Sequence, residues 1–518
     1  MGKIRITGMN SGLDTDAMVR ELVNAYEKQG EKYTKAKTKT EWKQEAWTNL
    51  NNKIKNFFTK QASNMRFSST YSKKKTTVSD SSKATVIASG NAVNGTQSLE
   101  VKGLAKAAYL TSGEITTKDE NGKDVKASRT TTLAELGLNI EGTIDLKIGK
   151  GVRDENGKYS EFVEPPIRVT KDTTLAELQG QIGAAGFNSS YDEATGRFFI
   201  SSRDSGEVND FGFVSDTEAG RKVQKLLKLD VVEGSKDSAS MIHGEDAEIV
   251  LNGATFKSAT NNFSINGLTI TAKDKTNGAI SLVTDTDYDE IYDNVKNFFK
   301  EYNSLMNEMD KLFNAASSKG YEPLTSEEKE AMTDEEVKQW ETKIKDSLLR
   351  NDSELDTISS AMRQAMLSTF DIDGKKYSLS SFGINTLGYF EAADNEKNMY
   401  HIDGDKDDSN TSANEDKLRA MIASNPSATA SFFQQLSGKL YDAMNKISSR
   451  SDSYTSFGNF FSDKKLQNDY VDKDKQVKKW EQYVADQEEK YYRQFTAMES
   501  AMSSLNSQQS YISQLFAG

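Results

Sequence analysis

Residues 463–516 read DKKLQNDYVDKDKQVKKWEQYVADQEEKYYRQFTAMESAMSSLNSQQSYISQLF. Tyr470, Val477, Val484, Tyr491, Met498, Leu505 and Ile512 stand seven residues apart without a break, which is the apolar period of a coiled-coil seam rather than of a short globular helix. The companion row is mixed: Trp480, Gln487, Phe495, Met502, Gln509 and Phe516. Polar residues at seam positions cost stability but fix register, and they leave the helix dependent on partners. At ~1.5 Å per residue the seam spans roughly 60 Å, so it must pack on something long.

A comparable stretch lies at the other end of the chain. Asp14 to Arg66 contains no proline, and two heptad rows run through it: Tyr26, Tyr33, Thr40, Trp47 and Ile54 beside Leu22, Gln29, Ala36, Leu50 and Phe57. Asp14, Thr15 or Asp16 supplies the N-cap oxygen for the first turn. The two ends together are expected to form one helical rod. Alone, each half would expose an apolar stripe beside many polar residues and would gain order on assembly.

Between the ends the period changes. Thr76–Ser79, Ala84–Ala88 and Gln97–Val101 alternate as strands, the last two joined through a turn cluster at 90–95. From Thr116 to Ser240 turn signals alternate with short strands such as Thr143–Ile148 and Arg197–Ser201. Two Thr-x-x-Glu capping boxes, Thr132 to Glu135 and Thr174 to Glu177, are expected to open short helices there. A second β-rich piece follows, with Asn-Gly turns at Asn252-Gly253 and Asn266-Gly267. Helices return at Asp287, where Ile291, Val295, Phe298, Phe299, Tyr302, Leu305, Met306, Met309 and Phe313 make a helical stripe.

The expected fold is a multidomain α and β chain. A terminal α-helical coiled coil (1–40 with 463–518) is followed by a helical-bundle body (41–75 with 285–462). A β-rich head domain (76–115 with 241–284) encloses an inserted α+β head domain (116–240).

Composition excludes several classes of function. The chain has 518 residues and a net charge of −12, with no dominant basic cluster beyond Lys73, Lys74 and Lys75, which argues against nucleic-acid binding. Two histidines, His243 and His401, and no cysteine leave little for zinc, haem, iron–sulfur or thiol chemistry. No catalytic, cofactor or metal residues are expected. Asp403, Asp405 and Asp407 alternate like calcium ligands, but Asp408 and Asn414 stand where the loop needs a glycine and a glutamate, so a solvated acidic turn is expected. No apolar leader or membrane-spanning stretch is present, and the residues alone read as cytosolic, with export by another signal left open.

Ile6 to Asp16 (ITGMNSGLDTD) resembles the start of the flagellar hook-associated protein 2 family, with Gly8, Ser11, Gly12, Leu13 and Asp14 as its motif. Similar wording recurs at Gly95–Val101 with Leu104–Ala108 as a hairpin, at Gly244–Gly253 and at Val295–Met306, while Thr131–Ser202 resembles a module shared by flagellins and hook-associated proteins. The resemblance implies an oligomeric cap, a pentamer, at the tip of the bacterial flagellum, which helps exported flagellin fold and insert. It implies as partners further copies of the chain, flagellin, the hook–filament junction proteins and an export chaperone. It also implies passage through the flagellar channel to an extracellular position without a cleaved signal, and no membrane insertion. Leu22, Tyr26, Tyr33, Trp47, Leu50, Ile54, Phe57 and the C-terminal row from Tyr470 to Ile512 would be its coiled-coil and oligomer seam. An alternative makes the head domains an adhesin for host mucin or another surface; a further one makes the chain another axial, flagellin-like protein.

Overall fold

A computed structural model describes residues 12–516 apart from 233, 234, 236, 389, 394, 395 and 452–458. The chain divides into two units, residues 1–71 with 288–518 and residues 72–287.

In the first unit, helix Thr15–Asn56 starts on Asp14, whose side chain accepts from the Ala17 amide at 2.9 Å. It runs antiparallel to helix Asp463–Phe516: Tyr26 meets Tyr491, Lys37 meets Asp474 and Gln44 meets Gln467. Below that pairing the N-terminal helix enters a core built on helices Tyr288–Phe313, Ser353–Met366, Lys417–Ser424 and Pro426–Ser451. Two small hairpins, 370–372 with 375–377 and 384–386 with 400–402, close it. The boundary expected at residue 40 falls inside one unbroken helix.

The heptad phase of the N-terminal helix slips once. Continued past Ile54 and Phe57 it would bury Gln61 and Asn64, yet Ala62 and Met65 are the buried residues. A π-helical turn over Phe57–Ala62 absorbs the extra residue. It places Phe57 against Phe298 and Tyr302, and Phe58 against Phe460.

The second unit has two cores. A five-stranded sheet, ordered Lys74–Val78, Ile280–Thr286, Gly95–Gly103, Ala247–Leu251, Ala254–Ser258, shares one core with a three-stranded sheet, Asn262–Ile265, Leu268–Ala272, Ala84–Ala88. Both Asn-Gly turns have positive φ at each central residue, +52° and +84° for Asn252-Gly253 and +47° and +81° for Asn266-Gly267. That is the left-handed geometry which matches strand twist in two-residue hairpins.

The inserted lobe begins earlier than residue 116. Ala107–Thr111 pairs with Arg197–Ser205 and with Ser240–Ile242, not with Gly95–Gly103, so the expected 95–108 hairpin is two strands of different sheets. Ala84–Ala88 likewise pairs with Leu268–Ala272 and not with its sequence neighbour. Of the capping boxes, Thr174 opens helix Leu175–Ala184. Thr132 and Glu135 make the same reciprocal bonds, but Gly137 at φ +101° ends the turn and Leu138 donates back to Leu133.

Lobe and outer sheet domain are stitched at the chain crossings. Lys106 and Glu245 exchange backbone bonds, Gly206 donates to Lys106, and Glu207 donates to Asp246. Beside them Asp210, 2 % exposed, takes Arg153 Nε at 2.8 Å, the amides of Phe211 and Gly244, and lies 3.0 Å from His243 Nδ1. Asp210→Ala would leave the amides of Phe211 and Gly244 without their acceptor, while Arg153 and His243, each about a third exposed, turn to water; a loss of roughly 1–3 kcal/mol in the stability of this unit is expected. Hydrogen exchange of the full chain should show it as faster exchange across Arg197–Ser205.

Candidate functional site

The site is the two-helix leg, where both ends of the chain meet. On the N-terminal helix Val19, Val23, Tyr26, Gly30 and Tyr33 turn towards the partner helix. Trp480 fills the space that Gly30 leaves: a Cβ there would lie 2.3 Å from Trp480 Cδ1. The Trp480 ring sits 5.5 Å from Tyr33 and 5.1 Å from Tyr483, and its Nε1 donates to the Tyr26 carbonyl at 3.0 Å. A glycine inside a helix costs roughly 0.5–1 kcal/mol relative to alanine; here it makes the hole for an indole.

Electrostatics fixes the register below the aromatic layer. Lys37 Nζ lies 2.6 Å from Asp474, which also holds Lys478 at 2.8 Å. The hydrogen bond from Lys37, then that from Lys478, holds the Asp474 carboxyl down at about 2. Higher up, Tyr26 and Tyr491 share a hydroxyl hydrogen bond at 3.2 Å, which raises Tyr491.

The residues expected on the seam separate into three groups. Tyr26, Tyr33, Tyr470, Val477, Val484, Tyr491 and Met498 lie buried or half-buried along the paired helices. Trp47, Leu50, Ile54 and Phe57 are buried in the body core instead, Trp47 stacked on Phe461 at 5.3 Å. Leu22, Leu505 and Ile512 are exposed, the last two at 63 % and 52 %. Leu22 points away because Val19 and Val23 occupy the inner face. For Leu505 and Ile512 the reason is length: counting outward from the Tyr26–Tyr491 pair puts Thr15, the first helical residue, opposite Met502. Gly8 and Ser11 lie outside the described residues; Gly12 has φ +72°, Leu13 is exposed and Asp14 is the N-cap.

Val19, Val23, Gly30 and the Lys37–Asp474 pair were not singled out by periodicity. A glycine in the middle of an otherwise glycine-free helix was the available signal for the Trp480 contact. The acidic run 403–414 is tied up internally, with Asp405 and Asp407 at 2.5 and 2.6 Å from Lys296 and Asp408 at 2.6 Å from His401. Among the described residues no cluster of acidic, histidine or cysteine side chains could hold a metal ion. No described helix is long and apolar enough to cross a membrane.

Two outcomes follow from this geometry. Gly30→Val should expel Trp480 and expose the upper leg to hydrogen exchange, and adding Trp480→Ala should restore part of the protection. Asp474 titrates below the ordinary carboxylate value of ~3.9, so its pairing supports the leg above that pH and is lost as pH falls towards 2. Helical circular dichroism of the full chain between pH 5 and 2 should therefore show a loss that Asp474→Asn reduces.

The family described as flagellar hook-associated protein 2 C-terminus matches residues 244–507, and its N-terminal counterpart matches residues 11–108. The flagellar hook-associated protein 2 of Halalkalibacterium halodurans is 26 % identical over 549 residues, covering 99 % of this chain and all of that protein. That of Thermotoga maritima is 25 % identical over 372 residues, covering 68 % of this chain and 54 % of its own length. The crystal structure of the flagellar cap protein D1-D2-D3 domains from Escherichia coli superposes with a TM-score of 0.50 at 18 % identity, over 79 % of this chain and 97 % of that one, and so shares its fold. With both family halves matched in order at the two ends and across the helical body, the chain belongs to the flagellar hook-associated protein 2 family.

Proposed function

We propose that this chain is a subunit of the cap at the extracellular tip of the flagellar filament, where several copies together promote insertion of flagellin. Family membership supplies the role, and one observation supports a working surface at the end of the leg. At the end of the leg where the N-terminal helix begins, Met18 and Leu22 are exposed on one helix, and Leu505, Tyr511, Ile512, Leu515 and Phe516 on the other. From Ser500 to Phe516 no residue is charged, whereas 463–499 carries charges throughout. Exposed Leu505, Tyr511, Ile512, Leu515 and Phe516 on an uncharged helix end, set among Ser, Asn and Gln, favour a contact with another protein.

The division of labour follows from the elements. The residue 72–287 unit supplies contacts to neighbouring copies in the cap, and the paired terminal helices supply contacts to axial proteins. Because residues 500–516 carry no charge, the contacts of this segment form and break without strong dependence on salt. That suits an assembly that must release one subunit and grip the next. Five copies, delivery by an export chaperone and passage through the flagellar channel complete this reading, as does contact with flagellin and with the junction proteins.

The combined Leu505→Asp, Ile512→Asp and Phe516→Asp variant tests the leg assignment, since these side chains are exposed and their loss leaves the inner seam intact. Exchange protection over 463–499 should stay as in the parent while cells carrying the variant make no filaments. Filaments of normal length would remove the docking role from this end of the leg.

A further inference from the structure

We propose that residues 314–352 form a brace that clamps the N-terminal helix between Lys35 and Lys43, and that the brace sets the point at which the leg ceases to be rigid. The inference is independent of what the leg docks against. Helices Ser326–Glu330 and Asp334–Asp346 make an excursion between two helices of the body core, and the excursion closes on itself. Asn351 donates its amide to the Phe313 carbonyl at 3.0 Å, Arg350 donates to Ala315 at 2.5 Å, and Ser347 donates to Ser318 at 2.6 Å. Inside it, Tyr321 and Trp340 pack with ring centres 4.5 Å apart, Trp340 Nε1 donates to the Glu322 carbonyl, and Ile344 is fully buried. The excursion is therefore an arm with its own small core, not a loose loop.

Three contacts join this arm to the leg helix within about two turns. Both carboxylate oxygens of Glu328 lie 2.8 Å from Lys35 Nζ. Lys345 Nζ sits 4.5 Å from the centre of the Trp42 ring. Asp352 lies 2.8 Å from Lys43 Nζ. An exposed ion pair usually contributes little because two long side chains must be held still. Here the acids are already held.

Glu328 completes the capping box of its own helix, with the Thr325 amide donating to it at 2.7 Å, and Asp352 caps helix Ser353–Met366. Each lysine thus meets a carboxylate fixed in advance at a helix N-terminus. Among the described residues Glu31, 4.0 Å from Lys35, is the other acid beside that lysine, and it belongs to the leg helix itself. Among the described residues, the contacts of the leg helix beyond Lys35 towards Thr15 are those of its pairing with the C-terminal helix, so this is the part left to bend.

Hydrogen exchange of the full chain, followed by mass spectrometry, tests the brace. Glu328→Lys should speed exchange across residues 30–42 by about tenfold while leaving the hairpin 370–377 unchanged. Lys35→Gln, which leaves the Thr325–Glu328 capping box intact, should speed exchange over the same residues. Unchanged rates in both variants would overturn the proposal. A second variant replaces residues 316–347 by a short Gly-Ser linker, which the adjacent ends of the arm permit and which keeps Leu349 in the body core. Lost protection over 30–42 with an intact body core supports the brace, and retained protection refutes it.

Discussion

Antiparallel contact between the two ends of the chain is the constraint on which the remaining architecture depends. Tyr26 touches Tyr491 and Lys37 touches Asp474 across more than four hundred residues. Every segment between them must leave and return. The chain satisfies this by nesting: the helical core lies around the base of the paired helices, and residues 72–287 form a closed excursion whose ends meet where Asp287 donates to the Lys73 carbonyl. Within that excursion the lobe from Ala107 to Ile242 is closed again by the Lys106–Glu245 bonds.

Burial is distributed unevenly along the paired helices, and this explains their different behaviour. Near their base Trp47, Leu50, Ile54 and Phe57 share a core with Phe298, Phe432, Phe433 and Phe461, where aromatic packing and full removal from water hold the N-terminal helix. Above it a two-helix pair can cover only one face of each partner, so Tyr26, Tyr33 and Val484 remain half in solvent. The pair makes up part of the difference with a shape fit, Trp480 into Gly30, and with directional bonds that set register. Order therefore declines from the core outward, until the C-terminal helix continues beyond the start of its companion.

Much of the architecture was legible in local sequence. The seven-residue row gave the C-terminal helix from Asp463 to Phe516, the Asn-Gly pairs gave their hairpins, and the Thr174 capping box gave the helix it opens. These signals act over a few residues, where the chain has few alternatives. Long-range choices were not legible. Nothing in Ala107–Thr111 distinguishes Arg197–Ser205 from Gly95–Gly103 as its neighbour, since alternation identifies a strand and not its partner. Asp210 is one acid among many until folding brings Arg153, His243 and Gly244 around it. Periodicity also could not say which of two adjacent rows, Val19 with Val23 or Met18 with Leu22, would face inward.

The separation between Tyr26 and Tyr491 has a consequence for the life of the chain before it reaches its destination. During synthesis the N-terminal helix emerges with its partner still unmade, and an isolated helix of that polarity is marginal in water. Closing so long a loop is entropically costly and slow. The nested excursions close on contacts of their own, whereas the leg must wait until Asp463 to Phe516 have been made. Until those residues are made, the apolar stripe of the N-terminal helix has no companion to cover it.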